Sequence, residues 1–310
     1  MRILVTGAGF IASHVVPLLG EMGHSITLFD RFGQAGPVEG SWQAGCRIVR
    51  GDVCDRAQVE REVRAHDGVI HLAGLLGTSE TIDDPFPSVR VNIEGTLNVL
   101  EACRPTQGNA PAPRAVVTTL GNHVMQNTYS ITKSCAERFV LMYNRELGTR
   151  AALVRAYNAY GARQKRQPVR KLIPHCISCA LEGRPIEVFG TGEQQIDLVA
   201  AHDVAVVLVR ALLHPHDAYD AVLDAGTGRA VTVNEVAHFV NETLGNRAGV
   251  RHLPMRPGEL AMSVIVGEPA TLEPLGLRAA DFTPWEAGLR DTIEWYRSHP
   301  EILDLVPQSS

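Results

Sequence analysis

Tyr129 and Lys133 stand four residues apart in Tyr129-Ser-Ile-Thr-Lys133. On a helix, residues at i and i+4 share a face. A free tyrosine titrates near ~10, too high for an efficient base at neutral pH. A lysine ammonium beside it favours the phenolate and lowers that value. Such a pair handles the proton of a carbinol or carbonyl, and next to a dinucleotide it would act together with hydride transfer. Thr118 and Thr119 end an expected strand, where a hydroxyl can orient the reacting oxygen. Thr119 is the first choice for that role and Thr118 the second.

A nucleotide cradle stands at the start of the chain. Gly7-Ala-Gly-Phe-Ile-Ala12 follows the apolar run Ile3-Leu-Val5 and opens a helical stretch. Gly7 permits the tight turn, Gly9 lets backbone N–H groups approach a pyrophosphate at the helix N-terminus, and Ala12 is small enough for close packing. Asp30 ends the next strand about 20 residues on, where an acid can accept from a ribose hydroxyl. Its charge would repel a 2′-phosphate, so NAD is expected over NADP, with neighbouring Arg31 acting in the opposite sense. Asp52, after Gly51, is placed to cap an adenine edge or to serve as a solvated turn residue. The candidate cofactor-binding set is Gly7, Gly9, Phe10, Ile11, Asp30, Arg31, Asp52, Val53, Leu72 and Ala73, together with Tyr129 and Lys133. His71 alone reads as a packed strand histidine.

The elements that must hold these groups follow from hydrophobic patterning. Short runs of β-formers stand at 3–6, 25–29, 47–49, 69–72, 115–118 and 151–154, with helical stretches at 10–22, 56–65, 88–103 and 128–147. This alternation predicts a parallel sheet with helices on both faces. Gly108-Asn-Ala-Pro-Ala-Pro113 reads as a surface loop before the fifth strand. Beyond a polar loop at 161–168, helices are expected at 169–181, 203–213 and 284–299. The fold class is therefore α/β, a Rossmann-type doubly wound parallel sheet over 1–165 with a smaller C-terminal α/β substrate domain over 166–310. Ala221-Val-Leu223 is a candidate to return to the first domain.

Composition excludes several other functions. The 310 residues carry a formal net charge of −5, which argues against a general nucleic-acid binder. No apolar run approaches the roughly 20 residues of a membrane span. Six scattered cysteines lack framework spacing and suggest reduced thiols and a cytoplasmic setting. Cys176-Ile-Ser-Cys179 has no second ligand pair and reads as core, so no metal is expected.

Taken together, the chain resembles the extended short-chain dehydrogenase/reductase family, the NAD-dependent nucleotide-sugar epimerases and dehydratases. Besides the loop and the Tyr/Lys pair, the resemblance rests on Gly51-Asp52, His71-Leu-Ala73, Asn92-Ile-Glu-Gly-Thr-Leu-Asn98 and Arg155-Ala-Tyr-Asn-Ala-Tyr-Gly161. It continues through Gly190-Thr-Gly-Glu-Gln-Gln195, Asp203-Val-Ala205, Arg256-Pro-Gly-Glu259 and Trp295-Tyr296, and so covers nearly the whole chain. It implies that Tyr129 removes a proton from a sugar hydroxyl while hydride passes to NAD, giving a transient ketone. It also implies that Asn158, Arg256 and Thr78 contact the sugar nucleotide, and that helices 88–103 and 128–147 form a homodimer interface.

Four departures bear on the reaction. The glycine loop is one residue shorter than the family's usual GxxGxxG. Thr119 and Tyr129 are unusually close in sequence, which suggests a more open site or a different sugar. Leu120-Gly121 stands where 4,6-dehydratases carry Asp-Glu, which disfavours elimination. Ile196 precedes Asp197 where an arginine is common; Arg163, Lys165 and Arg166 are nearby basic residues that could substitute. The first expectation is C4 epimerisation of a UDP-sugar. The alternatives are an NAD-dependent dehydrogenase or ketoreductase on another substrate, and a catalytically silent dinucleotide sensor.

Overall fold

In β1 (Arg2–Thr6), Ile3 and Val5 enter one apolar cluster and Leu4 another, and all three are buried. A strand buried on both faces belongs to a parallel sheet covered by helices on each side. The computed structural model of the protein describes residues 1–32, 41–106, 111–214 and 221–304. From β1 the chain runs through α1 (Ala12–Glu21), β2 (Ser25–Asp30), β3 (Arg47–Arg50), α2 (Arg56–Arg64) and β4 (Gly68–His71). It continues through the one-turn α3 (Phe86–Ser88), α4 (Gly95–Ala102), β5 (Arg114–Leu120), α5 (Thr128–Leu147) and β6 (Ala151–Ala156). Half of the expected loop 108–113, residues 108–110, lies outside the described residues.

The second half contains β7 (Asn158–Tyr160), α6 (Leu172–Leu181), β8 (Ile186–Phe189), β9 (Gln195–Ile196), β10 (Leu198–Ala200), α7 (Ala201–Leu213) and β11 (Val222–Ala225). β12 (Val231–Thr232), α8 (Val233–Leu244), β13 (Val250–Leu253), β14 (Val264–Ile265) and α9 (Trp285–Ser298) follow. The main sheet has the order β11-β6-β5-β4-β1-β2-β3, with every pairing parallel. This is the Rossmann-type doubly wound arrangement that the alternation predicts. Residues 222–225 pair with 153–156, so a strand late in sequence closes one edge of the sheet.

Two cores cover its faces. Val15 and Leu19 of α1 and Val204 and Leu208 of α7 pack with Val5, Val116 and Val154 on one side. Val59 and Val63 of α2, Leu100 of α4 and Val140 of α5 pack with Leu4, Val69 and Leu153 on the other. A separate core in the second half gathers Ile173 and Ile177 of α6, Val188, Ile196, Val236 of α8, and Trp285 and Tyr296 of α9. Cys176 and Cys179 lie fully buried in it, and all six thiols are free. Among the described residues no helix is long and apolar enough to cross a membrane, and no cluster of three or more His, Cys, Asp or Glu could hold a metal ion.

One local feature departs from simple periodicity. The expected helix over 88–103 is present, but Val89–Glu94 winds as a π-helix. Asn92 lies within it, fully buried. Its Oδ1 accepts from Leu75 N at 2.8 Å, and its Nδ2 donates to Leu75 O at 3.1 Å and Thr132 Oγ1 at 3.0 Å. The wider turn thus spends one side chain on tying the loop after β4 to α5. Such π segments recur at functional sites.

Candidate active site

A cleft of about 600 Å³ opens at the C-terminal ends of β1, β2, β4, β5 and β6 and extends beneath β8, β9 and the 256–265 segment. In open α/β sheets this end of the strands is where ligands bind. Every candidate catalytic, cofactor-binding and substrate-binding residue named from the sequence lines this cleft, apart from the basic residues at 163–166.

The cofactor half is built from backbone. Gly7 has φ +86° and donates to Phe29 O at 2.9 Å; a Cβ there would sit 2.6 Å from Ala73 N. Only glycine fits that turn. At Gly9 a Cβ would meet nothing within 4 Å, so the approach to this backbone is open. The amides of Gly9, Phe10 and Ile11 donate to no protein acceptor among the described residues, which leaves them for an anion at the start of α1. The Asp30 carboxylate accepts from Ala8 N and Phe32 N, each at 2.8 Å, so it braces the loop as well as facing the cleft. Arg31 Nη1 is turned to Asp52 Oδ2 at 3.9 Å, while Asp52 Oδ1 accepts from Cys54 N at 2.9 Å. Buried Val53 fixes the next stretch, its carbonyl accepting from Asn98 Nδ2 at 2.9 Å. These residues fit a dinucleotide: free backbone donors for its pyrophosphate, and a carboxylate for a ribose.

His71 bridges Thr6 and Thr96, at 2.7 and 3.2 Å, and burial holds it neutral with a pKa lowered to about 3. It is a strut beneath the cradle.

α5 carries the candidate Tyr129/Lys133 pair. The side chain of Asn127 caps this helix, accepting from Ser130 N at 2.9 Å, and Gly148 ends it in the left-handed conformation. Tyr129 lies in the first turn and Lys133 one turn on. The lysine's Nζ donates to Thr118 O at 2.8 Å. Burial lowers Lys133 to about 8 and raises Tyr129 to about 12. The lowering of Tyr129 expected from the Lys133 ammonium is not seen from the protein's own groups: the ammonium's hydrogen bond goes to the strand, and desolvation governs the phenol. Lowering it requires further positive charge in the cleft.

Continuing the same spacing reaches Glu137, which the sequence reading missed. Its buried carboxylate is clamped by Arg155, with Nε at 3.0 Å and Nη2 at 2.5 Å, and it accepts from Thr119 Oγ1 at 3.3 Å. Arg155 also faces Asp224 at 4.0 Å, and Tyr157 donates to Asp224 at 2.8 Å. Burial and this hydrogen bond raise the Tyr157 pKa far above the ordinary phenol range. The hydroxyl of Thr119 is thus engaged below the cleft, while Thr118 Oγ1 is buried without a partner.

The substrate half is loop-built. Fully buried Asp197 accepts from Thr227 N at 3.1 Å, Thr227 Oγ1 at 2.5 Å, Gly228 N at 2.9 Å and Gly267 N at 3.1 Å, which pins two loops under the cleft. Asn158 Nδ2 and Arg256 Nε are buried without partners. Thr78 Oγ1 donates to Glu259 at 2.9 Å, and Arg256 also pairs with Glu259. Ile196 forms part of the wall. Arg163, Lys165 and Arg166 do not line the cleft, which corrects their candidacy; Arg166 instead bonds Ser178 at 2.8 Å. Arg170 and Lys171 line it in their place.

Comparison with known proteins gives one consistent result. A model described as the NAD dependent epimerase/dehydratase family matches residues 3–222. A dTDP-glucose 4,6-dehydratase of Mycolicibacterium smegmatis is 30% identical, over 96% of this chain and 94% of its own. The crystal structure of a Thermotoga maritima UDP-glucose 4-epimerase with UDP-glucose matches with a TM-score of 0.84 at 26% identity, covering 97% of this chain and 100% of that one. A Thermus thermophilus UDP-glucose 4-epimerase complexed with NAD matches with a TM-score of 0.82 at 27% identity, covering 96% and 99%.

Proposed function

The chain belongs to the NAD-dependent epimerase/dehydratase family, and from that premise we propose that it is a nucleotide-sugar 4-epimerase. The observation that carries this reading is the lack, among the described residues, of a free acid beside the Tyr129/Lys133 pair. Leu120 and Gly121 stand where elimination would need a proton donor and a base. A Cβ at Gly121 would lie 2.4 Å from the Tyr157 ring, so an acidic side chain has no room there unless that ring moves. Glu137 is held by Arg155 and Thr119 and is not available.

Bound NAD supplies the hydride acceptor and donor, held by the Gly7–Ile11 backbone and Asp30. Tyr129 takes the proton of the sugar 4-hydroxyl and later returns it. Lys133 supplies positive charge and fixes the Thr118 carbonyl. Thr118, whose hydroxyl lacks a protein partner, is suited to orient the reacting oxygen. Asn158 and Thr78 contact the sugar, and Arg256 its phosphates. The keto-sugar must turn in the cleft before hydride returns to its other face and the proton returns to its oxygen.

Purified protein is expected to retain NAD. Incubated with UDP-, GDP- and dTDP-sugars, it should convert one of them to its C4 epimer with no net NADH, as read by NMR and absorbance. Stoichiometric NADH with another alcohol would replace this reading with the dehydrogenase one, which the apolar Ile196 wall favours.

The same reading includes a homodimer. Phe86 and Val89, just before α4, and Ile131 on α5 are exposed, with Phe86 at 75%. Sedimentation at micromolar concentration should give twice the 33.7 kDa chain mass; a monomer there would refute it.

A further inference from the structure

Two guanidinium groups meet on one aromatic ring at the far end of the cleft. The Cζ of Arg170 lies 4.6 Å from the Phe189 centroid, and that of Arg256 lies 5.1 Å from it. A guanidinium resting on a ring face keeps its edge N–H groups for planar anions. Arg170 commits only Nη2, to Glu187 at 2.9 Å and to His175; its Nε and Nη1 have no partner among the described residues. Arg256 has a buried Nε without a partner.

The surrounding charges leave room for an anion. Glu187 is shared between Arg170 and Arg251, so one carboxylate faces two cations. His175 is kept uncharged by burial, with its pKa lowered to about 4. Arg256 faces Glu259 and Glu80, and the Glu80 charge also acts on Lys171. Ile196, which also lines the cleft, is apolar and its side chain offers no donor.

We propose that Arg170, acting with Arg256 across Phe189, binds the diphosphate of the substrate and supplies the cation that Ile196 does not. This rests on the nucleotide-sugar reading above. Arg170 stands just before α6 and not on β9, so the positive charge reaches the cleft from a different element.

The test is calorimetric binding to the NAD-loaded protein, with UDP, dTDP and GDP and their parent nucleosides as ligands. The wild type is expected to bind one diphosphate. Arg170→Met should weaken it on the order of 10- to 100-fold, the scale of hydrogen bonds to charged groups, while the nucleoside changes less than about 2-fold. Arg170→Lys should fall between them. Arg170→Met combined with Ile196→Arg should regain most of the loss, which a merely structural role for Arg170 would not allow. Retained NAD shows that each variant is folded. Diphosphate binding unchanged in Arg170→Met, equal loss for nucleoside and diphosphate, or a double variant that stays weak overturns the proposal. A wild type that holds NAD but binds none of the three diphosphates removes the nucleotide-sugar reading itself, a result distinct from the others.

Discussion

Tyr129→Phe is expected to lower turnover on the order of 10³-fold, within the range general acid–base groups contribute. The substitution deletes one oxygen and keeps the ring, so α5 and the cofactor half should be unchanged. NAD should stay bound, and the substrate KM should shift little, because the loss falls on the proton step. The structure sharpens the reason. Burial alone raises this phenol to about 12, so the reactive phenolate is scarce at neutral pH and becomes scarcer as pH falls. Wild-type turnover should therefore decline toward acid, and the residual activity of the variant should lose that decline. Tyr157 is no substitute base, because Asp224 holds its proton in place. A Tyr129→Phe enzyme with more than about a tenth of wild-type turnover would remove Tyr129 from the role of base.

Asp197→Ala is expected to produce the largest loss of stability. This carboxylate is fully buried and accepts four hydrogen bonds, from Thr227 N and Oγ1, Gly228 N and Gly267 N. Removing it strands the buried Gly267 N, worth about 1–3 kcal/mol before relaxation, and three part-buried donors worth less each. With loop relaxation the expected total is about 3–5 kcal/mol, equivalent to a melting temperature lower by roughly 5–8 °C for a chain of 310 residues. Asp197→Asn keeps acceptor capacity on one oxygen and should lose about half as much. Thermal melting of the NAD-loaded protein measures both. An alanine variant melting within roughly 2 °C of wild type would mean that the loops are held by other contacts.

These two residues illustrate what could be read from the chain and what could not. The glycine loop, the alternation of strands and helices, and α5 over 128–147 were legible because their signals are local. They consist of a turn that needs glycine and a period of 3.6 or 2; the Asn127 cap of α5 went unread. Asp197 was visible only as the residue after Ile196. Its partners stand 30, 31 and 70 residues away in sequence, and no spacing rule joins them. Glu137 had a usable signal, one further step of four beyond Lys133, but its meaning depends on Arg155 arriving from β6. The missing cation was sought within 163–166, because nearness in sequence was the only guide. In the fold those residues leave the cleft and Arg170 enters it. The sense of the Tyr129 shift was likewise misread, since burial is a property of the assembled core and not of a four-residue spacing.

Asn127 has a consequence for how the cleft opens. Its Oδ1 starts α5, two residues before Tyr129, and its Nδ2 donates to Gly258 O at 2.9 Å on the segment that carries Arg256 and Glu259. One amide therefore belongs to two structures at once. The 256–259 segment cannot swing outward without either releasing that bond or pulling on the helix cap. The mouth and the base are thus mechanically geared, like a door whose latch is also a hinge pin. A ligand that steadies the segment also steadies the first turn of α5, and by reciprocity a firmly capped helix favours the closed mouth.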